Sequence, residues 1–217
     1  MAEQIRAVIW DLDGVIIDSA EQLRQSWHVM AEKEGVPFTD EQFWATFGMR
    51  NDHIIPLLWG SMPAEQVKRM ADEKEEAYRA MIRQSAQPLP GAMELMQALH
   101  EAGYAQALAS SAPIANIEVV SAAFGLQRFL QALVSGESVP RGKPAPDVFL
   151  KAAAELGVEP AYSLVIEDAV HGVEAAHAGG MRCVAVTYGK DVPGLREADL
   201  QVNNLTELNV ARIRALA

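Results

Sequence analysis

At 217 residues, half of them hydrophobic, the chain has enough apolar material for a sizeable buried core and is not a disordered polymer. Its 29 acidic residues against 18 basic ones give a net charge of −11, a field that repels nucleic acid and anionic membrane surfaces alike. No run approaches the roughly 18 apolar residues of a membrane span, and the quick passage of the first residues into an apolar strand-like run leads us to expect no signal segment. The expectation is a cytoplasmic protein, a monomer or weak homodimer, whose partner is a small molecule rather than nucleic acid or membrane.

Residues 5–10 form a short, nearly continuous apolar run, which predicts a strand buried on both faces. It leads straight into Asp11 and Asp13, and Gly14 lets the backbone turn sharply and release both acids into the space beyond the strand. Ser19-Ala20-Glu21-Gln22 has capping-box spacing and predicts a helix to about Glu34, ended by Gly35 with Pro37 beyond. Thr39-Asp40-Glu41-Gln42 repeats the device for a shorter helix. Phe47-Gly48-Met49-Arg50 interrupts it, and residues 51–58 read as helix again. After Pro63, the residues Val67, Met70, Ala71, Lys74, Tyr78, Met81 and Ile82 recur at helical spacing. Residues 19–87 therefore read as helix throughout.

Beyond Pro88-Leu89-Pro90-Gly91 the texture changes. Short apolar runs at 105–109, 132–135, 164–166 and 183–187 alternate with helical segments near 92–102, 114–123, 146–155 and 169–178. That alternation predicts an α/β fold, a doubly wound, Rossmann-like parallel sheet with helices on both faces. Its domain would comprise 1–18 and 88–217, with an all-helical domain, 19–87, inserted after the first strand. Cys183, the single cysteine, lies in one of the apolar runs and is expected to be a buried structural thiol.

Ligands of open parallel sheets bind outside the carboxyl ends of the strands. There the chain places Asp11 and Asp13, then Ser110, then Lys143 within Gly142-Lys143-Pro144, then Glu167 and Asp168. Two acids about 4 Å apart repel by roughly 4 kcal/mol at an effective dielectric near 20, so this cluster calls for a cation. A hard dication with oxygen ligands, such as Mg²⁺, fits. His28, His53, His100, His171 and His177 have no metal-ligand or triad spacing, and the chain lacks a dinucleotide fingerprint, a serine elbow and a zincin motif.

Asp11-Leu12-Asp13-Gly14-Val15, with Asp18-Ser19 behind it and the hydroxyl, lysine and acid pair following in that order, resembles the haloacid dehalogenase superfamily in its phosphatase and β-phosphoglucomutase-like branches. The resemblance covers most of the chain. It implies that Asp11 is a nucleophile forming an aspartyl phosphate and that Asp13 is the general acid/base. Mg²⁺ would be held by the Asp11 carboxylate, the Asp13 main-chain carbonyl and Asp168, with Glu167 a direct ligand or one acting through water. Lys143 would neutralise the attacking carboxylate, and Ser110 would donate to a phosphoryl oxygen, a task that Ser111 could serve equally. Aspartate at position 13 favours phosphate esters over dehalogenation, phosphonate cleavage or P-type transport. The helical insertion resembles a cap that reads the substrate. Arg50 and Lys74 are its candidate contacts, against a solvated arginine and a snorkelling lysine.

The implied function is a Mg²⁺-dependent phosphatase acting on a sugar phosphate or similar small metabolite. A sugar-phosphate mutase shares every core motif. In the mutases the chain resembles, a lysine precedes the cap glycine and a histidine stands early in the first cap helix. Here Phe47 and Leu23 take those places, which weakens the mutase reading. A non-catalytic binding protein on the same fold is the third reading.

Overall fold

The computed structural model describes residues 4–216; residues 1–3 and 217, the outer ends of the expected core segments, lie outside the described residues. Strands β1 (Ala7–Trp10), β2 (Ala105–Ser110), β3 (Ala132–Ser135), β4 (Ser163–Glu167), β5 (Arg182–Val186) and β6 (Leu200–Val202) form one parallel sheet in the order β3-β2-β1-β4-β5-β6. β1 is central, with Trp10 level with Leu108 of β2 and with Ile166 of β4. Such an order makes the chain reverse direction beside β1, the place where sheets of this type hold ligands.

Strand alternation divides the core into two layers. Val8, Trp10, Leu108, Leu164, Ile166 and Val184 face α5 (Ala92–Glu101), α6 (Ile114–Phe124) and α9 (Val210–Arg214). Ile9, Ala107, Ala109, Val165, Cys183 and Ala185 face α7 (Asp147–Leu156) and α8 (Val170–Ala178). Cys183 is fully buried as expected, and burial pushes its thiol well above the ordinary value. The sheet has one more strand than the apolar runs predict. β6 is three residues long, and its middle residue Gln201 is exposed.

Between β1 and α5 lie α1 (Ala20–Glu34), α2 (Asp40–Thr46), α3 (Asn51–Trp59) and α4 (Ala64–Ser85). Trp27, Met30, Phe43, Ile54, Ile55 and Met70 form their own apolar cluster. Tyr78 and Ile82, toward the end of α4, join the main core instead. The outgoing and returning chains run side by side, joined by an antiparallel bridge between Ile17 and Pro88. Thr39 caps α2 with the expected box, its side chain and that of Gln42 satisfying each other's backbone N–H. Ser19 does not cap α1 with its side chain. Its hydroxyl is drawn away to a carboxylate, described below. No helix among the described residues is long and apolar enough to cross a membrane.

Candidate active site

The ends of β1, β2 and β4, with the segment after β3, converge on one buried point. Asp11 leaves β1 and is 6% exposed. Lys143 Nζ donates to Asp11 Oδ1 at 2.6 Å and to Glu167 Oε1 at 2.6 Å, so a single ammonium is shared by two carboxylates. The other Glu167 oxygen accepts from the backbone N–H groups of Asp168 and Ala169. Two glycines make room. Gly14 has φ 80°, and a Cβ there would overlap the Asp168 carboxylate. A Cβ on Gly172 of α8 would overlap the carboxylate of Glu167.

One oxygen from each of Asp11, Glu167 and Asp168 lies within 4.8 Å of the others. Burial pushes Asp11 up to about 7; Lys143 opposes that rise and Glu167 adds to it. Burial, then Glu167 and Asp11, push Asp168 well above its ordinary value. Burial alone would lower the Lys143 ammonium, but its two carboxylates outweigh that and raise it. Three acids with one internal cation leave a charge deficit that a hard divalent ion, bound through carboxylate oxygens, would fill. The donor set fits such an ion.

Asp13 takes no side-chain part in that trio. Its Oδ1 accepts from Ser19 Oγ at 2.6 Å and from Tyr78 Oη at 2.7 Å. Burial raises its carboxyl and these two hydroxyls draw it partly back, leaving it above the ordinary range. Ser110 Oγ accepts from Ala112 N at 3.1 Å, and Ser111 Oγ donates to the carbonyl of Gly48 at 2.9 Å. Both serines line the same cavity, of about 70 Å³, as Asp11, Asp13, Lys143 and Asp168.

The two candidates from the helical block are neither a solvated arginine nor a snorkelling lysine. Arg50 does not line that cavity. Its Nη1 donates to the carbonyls of Gly136 and Val139 at 2.8 and 3.0 Å, and its Nε and Nη2 bind Asp52. Lys74 does line it, but it neither snorkels nor stands free. It is 3% exposed and donates to Glu75 Oε1 at 2.8 Å.

The haloacid dehalogenase-like hydrolase family model matches residues 5–180. The chain belongs to that family. It is 34% identical over 212 residues to hexitol phosphatase B of Escherichia coli (strain K12), across 94% of this chain and 95% of the relative. It is 33% identical over 213 residues to the chloroplastic 5-amino-6-(5-phospho-D-ribitylamino)uracil phosphatase of Arabidopsis thaliana; that match takes in 96% of this chain but spans only 57% of the relative's length. Among solved structures, β-phosphoglucomutase from Clostridium difficile superposes with a TM-score of 0.89 at 26% identity, over 98% of this chain and 96% of that one.

Sequence reasoning on this haloacid dehalogenase-like chain missed several polar residues at the site. Tyr78 sits on the apolar stripe of α4 and reads as core, which its ring is; only its hydroxyl reaches Asp13. Tyr188, which has φ 51°, donates to the Gly14 carbonyl at 2.6 Å. Glu75 and Asn116 line the cavity and hydrogen-bond each other between α4 and α6. No local spacing links either residue to a site.

Proposed function

We propose that the protein is a Mg²⁺-dependent phosphatase that hydrolyses a small phosphate monoester through an aspartyl phosphate on Asp11. The observation that carries this reading is the shared ammonium of Lys143, 2.6 Å from Asp11 and from Glu167, with Asp168 alongside and Asp13 held apart. Membership of the family and its phosphatase relatives support the reaction class. We take 1–18 and 88–217 as the catalytic core and 19–87 as the cap, acting on a diffusible metabolite in the cytoplasm.

In this reading an Asp11 oxygen attacks phosphorus and the ester P–O bond breaks, while Asp13 protonates the departing alkoxide. Water then attacks the aspartyl phosphate, Asp13 takes its proton, and inorganic phosphate leaves as Asp11 is restored. The raised Asp13 carboxyl suits the first step, since it holds a proton more readily than an ordinary carboxyl. Lys143 lowers the repulsion between attacking carboxylate and phosphoryl oxygens. Ser110, with Ser111 beside it, would donate to a phosphoryl oxygen. Asp11, Asp168 and the Asp13 carbonyl would hold Mg²⁺, which supplies charge for the phosphoryl group and a fixed orientation for it. Glu167, both of whose oxygens are engaged, would act by holding Lys143.

The test is phosphate release from a panel of sugar and polyol monophosphates with Mg²⁺. Activity should vanish in excess chelator and in Asp11→Asn, whose amide fills the same space but cannot form the phosphoenzyme. Undiminished activity in chelator, or about a tenth or more of wild-type kcat in the variant, would overturn the assignment. The likeness to the solved mutase supports a second reading. Leu23 and Phe47 both line the cavity and weaken it. β-Glucose 1-phosphate with a trace of the bisphosphate separates the two: a mutase makes the isomer with almost no free phosphate.

A further inference from the structure

Lys74 and Glu75 give the cavity a second buried ion pair, one that the phosphoryl chemistry does not use. They follow one another on α4, 3% and 4% exposed, and both line the cavity. Asn51 Nδ2 donates to Glu75 Oε1 at 2.6 Å, the oxygen that also accepts from Lys74, and Asn116 Nδ2 donates to Oε2. Burial pushes the Glu75 carboxyl up, but Lys74 and the two amides outweigh it and hold it below its ordinary value. The carboxylate's charge offsets that of Lys74.

Two further facts define what this pair can bind. Lys74 and Lys143 are the two cationic side chains lining the cavity among the described residues, and each is matched by a carboxylate. Arg50 is spent on carbonyls and on Asp52. Neither hydrogen-bonding inventory is exhausted, however. A carboxylate accepts about four hydrogen bonds, and Glu75 takes three from protein groups. An ammonium has three protons, and Lys74 gives one to a protein acceptor among the described residues while lying over the rings of Trp27 and Tyr78.

A second phosphate placed here would meet an ionised carboxylate in a desolvated wall, and like charges in such contact are strongly disfavoured. A hydroxyl meets both needs, donating to Glu75 and accepting from Lys74, while the carbons of a polyol can lie on Phe43 and Ile54. We propose that Glu75 is a specificity-determining residue. The Lys74–Glu75 pair selects phosphate monoesters whose non-reacting end is an uncharged polyol and rejects those carrying a second phosphate there. The proposal rests on the phosphatase reading and deepens it.

The experiment measures Mg²⁺-dependent phosphate release from a hexitol monophosphate and a hexose 1,6-bisphosphate. Acetyl phosphate, which has no far end to recognise, is the control. In the wild type kcat/KM for the hexitol ester should exceed that for the bisphosphate by roughly tenfold or more, and Glu75→Gln should narrow that ratio about tenfold by removing the charge. Equal or better use of the bisphosphate by the wild type overturns the proposal without any variant, and so does an unchanged ratio in folded Glu75→Gln. If neither the esters nor acetyl phosphate release phosphate, the phosphatase reading itself falls and takes this proposal with it. Turnover of acetyl phosphate together with equal use of the two esters defeats the proposal alone.

Discussion

Tyr78 Oη donates to Asp13 Oδ1 at 2.7 Å, joining α4 to the turn after β1 across 65 residues of sequence. Ser19 donates to the same oxygen from the start of α1. The proposed acid/base is thus held by two neutral hydroxyls from the helical block rather than by the cation that holds Asp11. A neutral donor steadies the carboxylate without forcing it to stay ionised, which suits a group that must both give and take a proton.

Tyr78→Phe removes one donor and leaves the ring packed. Hydrogen bonds to the ionised form hold a carboxyl down, so its loss moves Asp13 further up. We expect kcat to fall about tenfold, the loss of one hydrogen bond to a charged group. The limb of the pH–rate profile that reports Asp13 should move to higher pH. A fall in kcat with an unmoved profile would make Tyr78 a packing residue only.

The acid cluster also makes stability depend on pH and metal together. Asp11 sits at about 7 against an ordinary 3.8, and Asp13 and Asp168 are raised too. A raised acid binds more protons when folded than when unfolded. Its contribution is therefore complete below 3.8 and is lost as pH climbs through about 7. Bound Mg²⁺ opposes that loss, because it favours the ionised acids. The gain in Tm on adding Mg²⁺ should be near zero at about pH 5 and reach roughly 5–10 °C at about pH 8 with metal at about 100 times its Kd. Lowered acids away from the cluster, such as Asp147 and Asp199, shift stability the other way but equally with and without metal. A gain that is flat with pH would remove the Asp11 and Asp168 carboxylates from the metal site.

The core of this site is legible in sequence because three strands deliver their polar groups at their own ends. Asp11, Ser110 and Glu167 need only the strands placed correctly, and the apolar runs place them, while Lys143 comes from the loop after β3. The helical block is harder to read because its polar groups answer to distant partners. Ser19 has the spacing of a helix cap, yet its hydroxyl serves Asp13. Lys74 and Glu75 are adjacent on a helix, positions that do not ordinarily face each other, so their pairing inside a cavity leaves no spacing to find. β6 escapes notice because it is three residues long and carries an exposed Gln201 in its centre.

Arg50 shows the same limit and leads to the last prediction. From sequence it reads as a grip for a second anionic or hydroxylated part of the substrate. In the structure its partners are the carbonyls of Gly136 and Val139, 86 and 89 residues away. Its stem crosses Gly142, where a Cβ would come within 2.6 Å of Arg50 Cδ. Ser111 makes a second tie close by, donating to the Gly48 carbonyl two residues before Arg50. The loop between α2 and α3 is therefore latched to the core beside Lys143. Arg50→Ala should loosen that latch and leave the far end of the cavity unaltered. We expect kcat/KM to fall roughly threefold to tenfold, the range of one or two lost hydrogen bonds. The fall should be alike for acetyl phosphate, a hexitol monophosphate and a hexose bisphosphate, because a latch is indifferent to what it closes over. A loss confined to the bisphosphate would restore Arg50 as an anion grip and with it the case for a mutase.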